Sequence, residues 1–193
     1  MSTVSISTLP QSSGEISRFA SILKRHLKSN GSIRNEQRKV LVSYIKFSPN
    51  WYLLINELIL NCVASDVSDR LDTAIDILFQ LDGQVQVYTR DYLEKDINQW
   101  NKLYPSRKFM PNDDYWYVLL RALGRCGNKH ESLRILSVCQ DESSRGVAEG
   151  LVEALGDLGT EQAARLLQNI SKTSKDSFIR DLAVETLDEA FPV

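Results

Sequence analysis

Leu120-Arg-Ala-Leu123-Gly-Arg-Cys-Gly127, Val152-Glu-Ala-Leu155-Gly-Asp-Leu-Gly159 and Val184-Glu-Thr-Leu187-Asp-Glu-Ala-Phe191 are three versions of one segment, spaced 32 residues apart. Counting each unit from its first apolar residue (Tyr115, Val147, Ile179), helical core positions fall three, four, seven and eight residues later. They are Val118, Leu119, Ala122 and Leu123, then Gly150, Leu151, Ala154 and Leu155, then Leu182, Ala183, Thr186 and Leu187. Small and large residues alternate, as close packing of neighbouring helices requires. A further aliphatic position, Leu120, Val152 and Val184, widens each stripe enough to face more than one neighbour.

The punctuation supports helix, short turn, helix. Gly124, Gly127, Gly156 and Gly159 are expected to stop helices. Asn128 and Thr160 follow as N-caps, with Glu131 and Glu161 near the next helix start. The second helices carry Leu133, Leu136 and Cys139 in one unit and Ala163, Leu166, Leu167 and Ile170 in the next. Asp141 and Asp176 lie in the polar breaks before the following first helices.

These residues resemble the HEAT repeat, in particular the short bacterial variety of phycobilin lyases. The family pattern is best kept in Asp176-Ser-Phe-Ile179-Arg180-Asp-Leu-Ala183, whereas Trp116 and Ala148 replace the usual arginine. The resemblance covers roughly the last 80 residues and speaks to fold far more than to function. It implies an all-α fold, an α-solenoid of antiparallel helix pairs. Because second helices line the concave side of such stacks, it also points to His130, Arg134, Gln162 and Arg165 as binding candidates.

The 193 residues suffice for one sizeable core, and 42% hydrophobic with 25% charged residues is ordinary for a globular chain. No apolar run approaches the ~18 residues of a membrane span, so no membrane association is expected. The polar, serine-rich start lacks a secretory pattern. Three cysteines without close pairing read as reduced thiols, and the expected location is cytoplasmic. Residues 1–50 carry eight Lys/Arg against two acids, net +6, while the remaining 15 bases and 23 acids give −8. That asymmetry reads either as uneven solvated faces or as surfaces for oppositely charged partners.

Residues 1–14 are expected to form a flexible tail and 15–193 a single helical-repeat domain. Within it, 15–81 hold divergent helix pairs, 82–112 an irregular insertion and 113–193 the HEAT-like repeats. Ile16, Phe19, Ala20, Leu23 and Leu27 share one helical face, and Val40, Leu41 and Tyr44 are expected inward in the next helix. Trp51 to Cys62 reads as the central helix of this half. Leu71, Ala74, Ile75 and Leu78 form the inward face of a helix capped by Asp66, with Asp69, Asp72 and Asp76 as a solvated ridge behind it. Asp82-Gly83 is expected to turn, Val85 to Thr89 to be briefly extended, and Asp91 to Tyr104 to be helical before a proline-rich loop.

Catalytic patterns are missing. His26 and His130 are far apart, no Cys/His spacing suits zinc, and no nucleophile elbow or phosphate-binding glycine loop occurs. No cofactor is expected. The aromatic run Tyr115-Trp116-Tyr117 is the local surprise. Either the preceding irregular segment folds back over the Trp116 and Tyr117 rings, or they form a contact surface. The leading expectation is a non-enzymatic protein-binding module, an adaptor, chaperone or immunity-type inhibitor whose partner is another protein. A phycobilin-lyase-like tetrapyrrole chaperone is the alternative, and nucleic-acid binding stands third because the repeats are acidic.

Overall fold

In the computed structural model, the described residues are 9–27, 35–64, 69–94, 113–137 and 145–192. Among them are ten α-helices and no strand, so the fold is all-α. The helices are α1 (Leu9–Leu27), α2 (Asn35–Phe47), α3 (Trp51–Val63), α4 (Asp69–Leu78), α5 (Gly83–Glu94), α6 (Asp113–Gly124), α7 (Lys129–Leu136), α8 (Arg145–Leu158), α9 (Glu161–Thr173) and α10 (Ser177–Ala190). None is long and apolar enough to cross a membrane.

The 32-residue spacing of apolar positions is also the register of burial. Tyr115, Val118, Leu119, Ala122 and Leu123 on α6 are buried, as are Val147, Gly150, Leu151, Ala154 and Leu155 on α8. On α10, Ile179 and Ala183 are buried, while Leu182 and Leu187 pack half-buried against the same core. Even-numbered helices form a series in which α2 packs on α4, α4 on α6, α6 on α8 and α8 on α10. Alongside it, α3 packs on α1, α2, α4 and α6, α5 and α7 pack on α6, and α9 packs between α8 and α10. Leu120 and Val152 are fully buried by this stacking, each gaining about 2 kcal/mol relative to exposure.

Local chemistry sets the helix starts. Asn128 Oδ1 accepts the Glu131 N–H at 3.2 Å, Thr160 Oγ1 accepts that of Ala163 at 3.2 Å, and Asp176 Oδ1 accepts that of Phe178 at 2.9 Å. Only part of the glycine reading survives. Gly159, with φ +62°, ends α8 in the left-handed conformation. Gly156 lies inside α8 and Gly124 is the last residue of α6, and both serve close helix approach. A Cβ at Gly124 would overlap the Ala154 carbonyl oxygen and stand 2.8 Å from the Ala154 Cα, whereas one at Gly156 would meet the Thr186 methyl at 2.5 Å.

Several expectations are corrected. Helix α1 starts at Leu9 rather than Glu15, because Pro10 is compatible with a first helical turn. Val85 to Thr89 is helical within α5, and its brief alternation is outweighed by the helical spacing of buried Val85, Tyr88 and Thr89. The break before α5 is made by Asp82 at φ 42°, whose carbonyl accepts from Val85 and Gln86 and whose carboxylate accepts the Gly127 N–H at 2.9 Å. On α2 the buried pair is Leu41 and Ile45, so Val40 turns to solvent and Tyr44 is half-buried. Asp76 is not part of a solvated ridge, since it is half-buried between two arginines. Residues 95–112, with most of the expected 91–104 helix and the proline-rich loop, lie outside the described residues, as do Asp66, Cys139 and Asp141.

Candidate functional site

Charge runs in order along the even-numbered series. Arg38 on α2 pairs with Asp76 on α4, and Asp76 also receives Arg125, just past α6, at 3.3 Å. Arg125 reaches Asp157 on α8 at 3.2 Å, and Arg121 on α6 pairs with Glu153 and, at 3.3 Å, with Asp157. Base, acid, base and acid therefore alternate from α2 to α8, which is how partly buried charges keep their desolvation cost offset.

The alternation breaks at α10. The positions equivalent to Arg121 and Arg125 are Glu153 and Asp157 one repeat later and Glu185 and Glu189 in the last. Acid then faces acid across the α8–α10 junction, and there a cleft of about 490 Å³ opens. Glu153, Asp157, Glu185 and Glu189 line it with Arg121, over a floor of Gly156, Leu182, Thr186 and Ala190. Of the cleft's acids, Arg121 and Arg125 pair only with those of α8, and no ion pair of Glu185 or Glu189 occurs among the described residues. One turn earlier on α8, burial first and the neighbouring Glu153 charge second push the Glu149 carboxyl above its ordinary range.

Tyr117 on α6 does not line the cleft but reaches one of its acids. Its hydroxyl donates to Glu153 Oε2 at 2.8 Å, and its ring and backbone lie against Gly150, where any side chain would collide. Burial, then the bond to Glu153, raises its pKa and keeps the phenol protonated as a donor. The expectation that the preceding segment covers this ring falls on residues outside the description. In the described part it is α8 that packs against Tyr117. Trp116 is half-buried against the core and does not line the cleft.

The four concave-side candidates are elsewhere. His130 and Arg134 are exposed on α7, where Arg134 clasps Glu131 at 3.0 Å and holds its carboxyl below the usual range. Gln162 and Arg165 are exposed on α9, and Arg165 pairs with Glu161 at 2.5 Å. Helices α7 and α9 each pack on α8, and none of the four side chains borders the cleft. Sequence reasoning missed Glu153, Asp157, Glu185 and Glu189. The signal was the sign change, Arg-Arg to Glu-Asp to Glu-Glu, at two positions of the repeat.

Chemically the cleft offers carboxylate acceptors and negative charge, which suits lysine ammonium or arginine guanidinium groups. The buried thiols Cys62 and Cys126 are both pushed up to about 12 by desolvation and contribute no nucleophile there. No protein-family model matches the chain, and no curated protein matches it.

Proposed function

We propose that this chain is a non-enzymatic protein-binding module, an α-solenoid of HEAT-like helix pairs. Its acidic cleft between α8 and α10 takes basic side chains of a partner protein. The observation that carries the reading is the broken alternation: Glu185 and Glu189 face Glu153 and Asp157 where every earlier junction sets base against acid. A lysine or arginine from outside would supply the missing row, and the repulsion it relieves adds to the binding. An adaptor, a chaperone and an inhibitor of a basic protein all fit this chemistry. A tetrapyrrole carries propionate carboxylates and a nucleic acid carries phosphates, and both would meet like charge in this cleft. The test is titration of a short lysine- and arginine-rich peptide into the protein. Saturable binding that weakens with salt is expected, and Glu185→Gln with Glu189→Gln should weaken it about tenfold. Equal binding by the double variant would refute the assignment.

A further inference from the structure

Four large apolar side chains are exposed among the described residues, and they lie on just two helices: Val40 and Phe47 on α2, Phe178 and Val184 on α10. These two helices are the ends of the series α2, α4, α6, α8, α10. At the α10 end the exposure has a specific cause. Leu120 and Val152 occupy the same repeat position as Val184 and are fully buried, because α8 covers α6 and α10 covers α8. Val184 is 48% exposed because no described helix follows α10. Asp181 and Asp188, both exposed, lie one turn to either side of it.

The α2 end has the opposite net charge, with Lys39 and Lys46 against the single acid Glu36. Phe47 is 81% and Val40 56% exposed, and they lie two turns apart on one face with exposed Lys39 and Lys46 beside them. Apolar residues flanked by lysines at one end match an apolar residue flanked by aspartates at the other. Burying a phenylalanine against an aliphatic side chain gives the attraction, and the flanking charges give the orientation.

We infer that the chain associates head to tail, with the Val40–Phe47 face of α2 in one copy docking on the Val184 face of α10 in a second. Asp188 stands where Gly124 and Gly156 allow close approach in the two earlier units, so this contact is looser than those within the chain and is held partly by Lys–Asp pairs. A heterologous contact of this kind leaves one free end of each type, and it extends as concentration rises. It uses a different face of α10 from the cleft, so it stands or falls independently of the proposed function.

The test is sedimentation velocity of the full chain between about 10 and about 300 μM, a range suited to a small interface. Wild type should show an average mass that grows with concentration. Phe47→Lys, which blocks the α2 end, and Val184→Arg, which blocks the α10 end, should each remain monomeric with unchanged far-UV circular dichroism. Mixed in equal amounts, these variants keep one intact α2 end and one intact α10 end between them, and they should stop at a dimer. A wild type that stays monomeric throughout overturns the proposal. So does growth retained by either variant, as symmetric pairing of like ends would give, or a mixture that fails to dimerise or grows beyond a dimer.

Discussion

The junction between α6 and α8 and the junction between α8 and α10 are built on one register and behave differently. In the first, Arg121 and Arg125 face Glu153 and Asp157, and Gly124 lies against the Ala154 backbone. In the second, the acids of α8 face Glu185 and Glu189, and a Cβ on Gly156 would meet side-chain atoms of Thr186 and Ala190 rather than backbone. The first is closed by charge pairing and backbone contact, and the second opens into a cleft. Apolar periodicity packs the helices together, and the identity of two polar positions recurring every 32 residues decides which junction is closed by ion pairs and which opens into a cleft.

The glycines give the largest expected contrast. Gly124→Ala pushes a methyl into backbone that cannot rotate away and should cost about 3 kcal/mol in denaturant unfolding. Gly156→Ala crowds the Thr186 methyl and touches the Ala190 Cβ without meeting backbone, and it gains helix propensity, so its change should stay within about 1 kcal/mol. Equal costs would mean that the two junctions are equally tight.

Arg121 comes next. Arg121→Met leaves Glu153 without its guanidinium and Asp157 with Arg125 alone, in partly buried surroundings. Chemical denaturation should show a loss of about 2 kcal/mol, below the ~3–5 kcal/mol of a fully buried pair. A loss no larger than that of an exposed arginine would remove the ladder from the account.

Glu149 gives the smallest effect, and its value lies in the sign. Its folded carboxyl pKa is raised, so protonation favours the folded state. The charged form costs stability, and that cost builds as pH rises past the unfolded pKa and is complete above the folded one. Glu149→Gln should therefore stabilise the protein slightly at neutral pH, by under about 0.5 kcal/mol given its exposure, with the gain gone near pH 4. Melting temperatures at the two pH values check it, and a gain that persisted in acid would point to a cause other than charge.

Much of this architecture could be read from the residues. The positions of Leu123, Leu155 and the caps Asn128 and Thr160 follow from spacing and local hydrogen bonding, which act within one turn of chain. Errors arose where a distant partner decided the outcome. Val40 was expected inward because it continues an apolar stripe, yet α2 buries Leu41 and Ile45 against α3 and α4 instead. Asp76 reads as an exposed ridge until Arg38 and Arg125 approach from two other helices. Gly156 looks like a stop but is a contact point inside α8, and Gly124 ends α6 while also being one, because a helix crossing leaves no mark in the local sequence. The cleft was legible in principle, since the change of sign at positions 121, 153 and 185 is visible in an alignment of the repeats. The aromatic and second-helix candidates Trp116, Tyr117, His130, Arg134, Gln162 and Arg165 all lie outside its lining, and Tyr117 reaches it only through Glu153.

The most direct test of the central claim is Glu185→Arg, read out twice on the same sample. Restoring base against acid at the last junction should raise the melting temperature by about 3 °C and abolish binding of the basic peptide. A melting temperature that stays put or falls, with peptide binding intact, would contradict the claim that this acid-on-acid junction is where the protein receives its partner.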